Sequence, residues 1–279
     1  MAEITAATVG KLREMTGAGL MDCKKALTEN GGDLDLSVDW LRKKGVASAA
    51  KKADRAANEG VIAQHIAPGS KVGVLLEINC ETDFVAKNDQ FRNFCDNLAK
   101  KIAGNPGADL EPDRVVAVAK IGENVRIHRH TRWEVSGNGL IAAYIHTGAK
   151  VGVLVEVGAT NEATVGSDGF KELVRDITLQ IAAGNPTAVS RNEISTEILD
   201  KEDEIARNSD ALKGKPAAAM VNILKGKREK YFQTVCLVEQ GFVKKNGEIT
   251  VKEHIATVGK ALGDEVTVRR FLRYQIGAA

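Results

Sequence analysis

Two stretches of this chain are versions of one another, and that duplication limits the fold more than any other feature of the sequence. Laid without a gap at an offset of about 79 residues, GVIAQHIAPGSKVGVLLEIN from residue 60 recurs as GLIAAYIHTGAKVGVLVEVG from residue 139. About a third of the positions match between residues 60–103 and 139–182. In each copy apolar and polar residues alternate on both sides of a glycine-containing turn, which predicts a β-hairpin. Each then reaches an Asp, a Phe and an amphipathic run, Asp89 and Phe91 in the first copy and Asp168 and Phe170 in the second. That run predicts a helix backing the hairpin.

A second correspondence supplies a third strand to each copy. GENVRIHRHTRWEVSG, residues 122–137, resembles GDEVTVRRFLRYQIG, residues 263–277. Both read with period two, placing Val125, Ile127 and Trp133 on one face and Val266, Val268 and Tyr274 on its counterpart. Here the offset is about 141 residues, so the second copy carries about 62 extra residues between Ile181 and Ile255. The insertion contains Ile194, Ile198 and Ile205, a Gly214-Lys215-Pro216 break, then Met220, Ile223 and Leu224. Two antiparallel helices joined by a tight turn are predicted, a protruding arm suited to interaction.

Ahead of the repeat, three short apolar patterns are separated by glycines: Val9, Leu12 and Met15; Leu20, Cys23 and Leu27; Leu34, Val38 and Leu41. They predict a three-helix unit with Gly17 and Gly31 at helix ends and Asp33 as an N-cap. So small a unit is marginal alone and is expected to dock on something. VASAAKKADRAAN, residues 46–58, favours helix with little to bury, a semi-rigid linker. The fold class is therefore α+β, and the expected division is a helical head over 1–45, a helical linker over 46–59 and a first subdomain over 60–138. A second subdomain takes 139–186 and 236–279, with the arm over 187–235. Each subdomain has a three-stranded antiparallel sheet backed by helix.

The composition excludes several functions. With 279 residues, 43% hydrophobic and 27% charged, the chain is globular, not a disordered or collagen-like one. Its 39 basic and 37 acidic side chains leave a formal charge of +2, so any nucleic-acid contact must come from a local patch. No apolar run approaches the roughly 18 residues that span a bilayer, and MAEITAATVG lacks a signal pattern, so a cytoplasmic protein is expected. Cys23, Cys80, Cys95 and Cys236 form no C-x-x-C pair and are expected to be free thiols. No phosphate loop, H-E-x-x-H or G-x-S-x-G motif is present, so neither an enzyme nor a metal or other cofactor is expected. Gly17-Ala18-Gly19 lacks a βαβ context and reads as a helix break. A basic stripe, Arg126, His128, His130 and Arg132, would share a strand face and supports a rival class, an RNA- or ribosome-associated adaptor.

The two copies diverge most where the hairpin leads into its helix: NCETDFVAKND in the first, GATNEATVGSD in the second. A loop changed in one copy of a duplicated scaffold is a natural place for a specific task. Two alternatives stand for it. Either Phe84 fills its own core and Asp83 caps the next helix, or the pair forms an acidic and aromatic tip that meets a partner.

Three stretches, LREMTGAGLMDCKKAL at 12–27, CETDFVAKN at 80–88 and KIGENVRI at 120–127, resemble the signatures of the translation elongation factor Ts family. The resemblance runs through essentially the whole chain. It implies a ubiquitin-associated-like head, two core subdomains and a helical dimerisation arm. It also implies a guanine-nucleotide exchange factor that binds elongation factor Tu with GDP, disturbs its magnesium and phosphate site, and leaves it free to take GTP. In that reading Thr82, Asp83, Phe84 and Val85 form the magnesium-displacing loop, and Arg13, Leu20, Met21 and Lys24 of the head grip the partner. Ile121 and Gly122 make a further contact near the nucleotide domain, His146 reaches another domain, and in GFVKKNGE Val243 is the contact position that transfers. Lys244 departs from the apolar residue of some relatives, and no extra carboxy-terminal helix follows the last strand, so no contribution from one is expected. The resemblance allows a homodimer or heterotetramer through the arm, and no membrane or direct nucleic-acid contact is expected from it.

Overall fold

The computed structural model describes residues 4–208 and 216–278. Three helices come first: α1 Ala6–Thr16, α2 Leu20–Glu29 and α3 Leu34–Lys52. Val9, Leu12, Cys23, Ala26 and Leu27 form their shared core, with Leu34, Val38, Trp40 and Leu41 packed against it. Thr5 caps α1 and Asp33 caps α3, its carboxylate accepting the Leu36 N–H at 2.9 Å. Gly17 ends α1 at φ 66°, a conformation that strains any residue with a Cβ. Met15 and Leu20, expected within the apolar patterns, are instead about half exposed, at 54% and 52%.

The stretch expected to be a linker is not separate. α3 continues without a break to Lys52, and Ala49 is buried in the core of the first sheet. Gly45 sits within van der Waals reach of Val115 and Ala119, so α3 lies against a core helix, α6 Glu111–Ile121. The small side chains Gly45 and Ala49 on α3 allow that approach.

Two three-stranded antiparallel sheets follow. The first has order β1 Glu59–Ile66, β2 Val72–Cys80, β3 Val125–Glu134, and the second β4 Gly139–Ile145, β5 Val151–Ala159, β6 Val266–Gln275. Helices α4 Asp83–Lys87, α5 Asp89–Gly104 and α6 cover the first, and α7 Glu162–Gly166, α8 Asp168–Gly184 and α11 Val251–Leu262 the second. Phe91, Leu98 and Ile102 of α5 fill one helix-to-sheet core, while Phe170, Leu173 and Ile177 of α8 fill the other. Each copy thus buries its hairpin under a helix of the same register, as duplication requires.

The sheets pack on each other through a third core made of Ile62, Leu75, Ile141, Leu154 and Tyr274, with Trp133 and Leu272 beside it. A Cβ on Gly73 would fall 2.4 Å from Ile141 Cγ2, and one on Gly152 would fall 2.4 Å from Ile62 Cγ2. These are equivalent contacts made in both directions, the mark of an approximate two-fold axis between the copies. The same exchange recurs in charge. Buried Glu77 accepts from Arg129, whose guanidinium lies 4.3 Å over Tyr274 of the other sheet. Buried Glu156 accepts from Arg269 and Arg270, and Arg270 lies 4.3 Å over Trp133.

A β-bulge corrects the expected strand faces. Ile78 pairs with Ile127 and Glu77 with Arg129, so His128 is an extra residue, and Arg269 is its counterpart in β6. Val125 and Ile127 therefore belong to the helix-side core, but Trp133 belongs to the core between sheets. Val266 and Val268 are parted from Tyr274 in the same way.

The inserted segment forms α9 Thr196–Arg207 and α10 Ala217–Val235, packed side by side. Arg228 of α10 holds Asp203 of α9 with bonds of 2.8 and 2.9 Å, and Arg191 ties Glu229 to Glu239 at the base. The expected Gly214-Lys215 turn lies outside the described residues.

Candidate functional site

β2 ends at Cys80, and within two residues the chain has turned into α4. Thr82 is the N-cap, its hydroxyl oxygen accepting from the Val85 N–H at 3.3 Å. The same hydroxyl donates to Glu123 Oε1 at 2.6 Å, while Glu123 Oε2 accepts the backbone N–H groups of Glu81 and Thr82, both at 3.0 Å. In return, Glu81 Oε1 accepts the Asn124 N–H at 2.6 Å. Two acidic residues thus each accept backbone donors of the facing segment. The Cys80 thiol donates to the Thr82 carbonyl at 3.2 Å. Burial, and after it the Glu123 carboxylate, push that thiol up to about 12, so it stays a neutral donor.

On this base α4 holds Asp83 and Phe84 outward. Phe84 is 80% exposed, more than any other large hydrophobic side chain among the described residues. Val85, by contrast, packs back against the first core, and Ala86 is buried in it. Lys87 Nζ lies 2.6 Å from Asp83 Oδ2 one turn away. Hydrogen bonding from Lys87 holds the Asp83 carboxyl below its ordinary range, so it is ionised at neutral pH. The alternative in which Phe84 fills its own core and Asp83 caps the helix is thereby excluded: the cap is Thr82, and the aromatic ring faces water.

The second copy uses the same support without the tip. Asp264, ahead of β6 as Glu123 is ahead of β3, accepts the N–H groups of Thr160 and Asn161 at 3.2 and 2.9 Å. Its carboxyl is held well below the usual range by the Thr164 side chain and then by the Asn161 N–H. Where the first copy has Asp83-Phe84, the second has Glu162-Ala163. The carboxylate support therefore belongs to the scaffold, and the exposed aromatic to one copy alone.

The remaining sequence-derived positions fall into groups. Arg13, Leu20, Met21 and Lys24 are all exposed on the head, with Met21 at 72%. Ile121 is partly buried against the first core and Gly122 ends α6 at φ 85°, directly before Glu123. These two are therefore joined to the Thr82–Val85 turn through the Glu123 carboxylate. His146 is exposed at the β4–β5 hairpin end, its Nδ1 3.0 Å from the Tyr144 hydroxyl. Val243 is 42% exposed, and its N–H donates to Gln180 at 2.9 Å. Lys244 turns to buried Asp176, which also meets His254 at 3.1 Å. Glu123, Glu81 and Lys87 were not singled out from sequence. The recurrence of an acid ahead of the last strand in both copies was the available signal.

The basic stripe does not form. Because the bulge falls at His128, Arg126 and Arg132 lie on opposite sides of β3: Arg132 donates to the Ala103 carbonyl at the end of α5, whereas Arg126 donates to Ala53. Among the described residues no group of three His, Cys, Asp or Glu side chains is placed to hold a metal ion, and no helix is long and apolar enough to cross a membrane. All four cysteines are buried and unpaired.

Comparison with known proteins agrees with the three signature stretches. The sequence profile described as Elongation factor TS matches residues 81–278. The chain belongs to the elongation factor Ts family. It is 43% identical to Elongation factor Ts of Symbiobacterium thermophilum over 284 residues, covering 99% of this chain and 93% of that protein. Elongation factor Ts of Syntrophotalea carbinolica is 44% identical over 291 residues, and that of a Nostoc species 40% over 293, with the same coverage. The relatives thus match nearly the whole chain, from the three N-terminal helices through both sheets.

Proposed function

We propose that this protein is a nucleotide exchange factor for elongation factor Tu in translation elongation, and that Asp83 and Phe84 are the groups that loosen bound GDP. The observation that carries the reading is an aromatic ring left 80% exposed on a turn that is bonded to Glu123 at its start and seated on the first core through Val85 and Ala86. An apolar group held in water by a rigid support contributes nothing to folding and is ready to be buried in another molecule. The ring supplies packing energy for a displaced conformation of the partner. The adjacent carboxylate, ionised at neutral pH, repels phosphate or captures polar groups that had surrounded the magnesium ion. Magnesium bridges phosphate oxygens, and its displacement leaves their charge uncompensated.

No covalent bond changes, so the protein is not an enzyme in the ordinary sense. Linkage fixes its thermodynamics: whatever factor it takes from the affinity of the partner for GDP, GDP takes from its own affinity for the partner. The exposed head residues Arg13, Leu20, Met21 and Lys24 would hold the partner while the turn acts, and Ile121, Gly122, His146 and Val243 would add contacts. The arm is proposed as a dimerisation element, giving a homodimer or a heterotetramer with the partner. The work is that of a cytoplasmic translation factor.

Stopped-flow release of fluorescent GDP from elongation factor Tu tests the proposal. Strong acceleration by the unaltered chain, lost in folded Phe84→Ala and Asp83→Ala variants, is the expected result. No acceleration by the unaltered chain would sink the reading.

A further inference from the structure

We infer that Glu123 is a positioning residue for exchange: its carboxylate fixes the turn that carries Asp83 and Phe84, a role that rests on the exchange reading above. α4 is only five residues long and could not hold its own direction in water. Val85 and Ala86 seat the rest of α4 in the first core, but the cap from Thr82 to Val85 lies within the turn and ties the start of the helix to nothing beyond it. Glu123 supplies the outside reference. One oxygen takes the Thr82 hydroxyl, the other takes two backbone N–H groups, and the residue itself follows directly on Gly122, where α6 ends. Phe84 is thus set from two sides: Val85 and Ala86 seat α4 in the first core, and Glu123 ties the start of the turn to the end of α6.

The second copy is an internal control. Asp264 makes the same paired backbone contacts to Thr160 and Asn161, yet the helix it supports begins with Glu162-Ala163 and carries no large exposed apolar side chain. Loss of either carboxylate removes comparable support from comparable turns, but only one of those turns bears the groups proposed to act. A structural role predicts similar effects from the two changes; a positioning role predicts that exchange responds to one alone.

The test uses the full chain with Glu123→Gln, Phe84→Ala, the double variant and Asp264→Asn, measured by release of fluorescent GDP from elongation factor Tu. Glutamine keeps the size of the side chain and removes the charge that binds the two amides. Release is expected to slow about tenfold with Glu123→Gln, since misplacing a reacting group by even an ångström is costly. On the Phe84→Ala background the same change should cost less than about twofold, because its effect runs through the ring. Asp264→Asn should stay within about twofold of the unaltered protein. Amide hydrogen exchange at Glu81 and Thr82 should rise with Glu123→Gln, an effect independent of the partner. Unchanged release with Glu123→Gln, or a tenfold loss that persists without the Phe84 ring, would overturn the positioning role while leaving the exchange reading intact. Full activity of Phe84→Ala would overturn the part given to the Phe84 ring and this positioning role with it, even where the amides had become mobile, whereas no acceleration of release by the unaltered chain would overturn the exchange reading itself.

Discussion

Replacing Phe84 with alanine separates folding from function more sharply than any other change in the molecule. Burying a phenylalanine side chain fully is worth about 1.5–3 kcal/mol, and in the free protein this ring remains 80% exposed. Four fifths of that sum is therefore still to be gained, about 2 kcal/mol on burial in a partner, or roughly 30-fold in an equilibrium or rate. The folded chain loses almost nothing, so its melting temperature should move by less than about 2 °C. Phe91, in the first turn of the next helix and fully buried, gives the contrast: Phe91→Ala should cost about 3–5 kcal/mol of stability. The assay is the concentration dependence of GDP release from elongation factor Tu, paired with thermal unfolding of each variant. A Phe84→Ala protein that melts several degrees lower, or that releases GDP at the unaltered rate, would refute the reasoning.

Other outcomes follow from the core and its charges. Gly73→Ala drives a methyl into Ile141 between the sheets, so denaturant unfolding should report a loss of about 1–3 kcal/mol, partly recovered by adding Ile141→Val. Glu156→Ala leaves Arg269 and Arg270 without their buried acceptor; since both guanidiniums retain solvent, roughly 2 kcal/mol is expected in the same assay. Burial alone would raise the Glu156 carboxyl, but hydrogen bonds from Arg269 and Arg270 outweigh it and lower the group from its ordinary 4.5. A carboxyl lowered on folding stabilises the protein fully above its unfolded value, so unfolding free energy should be level above about pH 5 and fall as the pH drops below 4.5. A thiol reagent at neutral pH should leave Cys80 and Cys236, pushed up to about 12 and about 11, unlabelled in the native protein and react with all 4 cysteines after denaturation.

The duplication, the helix laid on each hairpin and the third strand of each sheet were legible because each rests on a period or a recurrence that survives in one dimension. What escaped depended on events smaller than a period. One extra residue at His128 reverses the strand faces beyond it, and nothing in the alternation of Val125, Ile127 and Trp133 betrays the slip. The basic stripe read from Arg126 to Arg132 failed for the same reason. Phe84 was ambiguous because an aromatic residue has the same composition whether it fills a core or faces water; only its 80% exposure decides. Glu123 was hidden by distance, since it binds a turn 41 residues earlier in the chain. The third helix runs on to Lys52, and its Ala- and Lys-rich end signals helix without showing that Ala49 is buried under another element.

The matched contacts of Gly73 with Ile141 and Gly152 with Ile62 carry a consequence for how such a molecule could diverge. A face that recognises its own duplicate makes each half the mould of the other, so neither half can alter that face alone. The outer rims carry no such obligation. One half has an aromatic residue where the other has alanine, and the other accommodates two helices between a buried helix and its last strand. Joining the halves in one chain made the shared face permanent at any dilution and released each rim to become different, so that a symmetric inside supports an asymmetric tool.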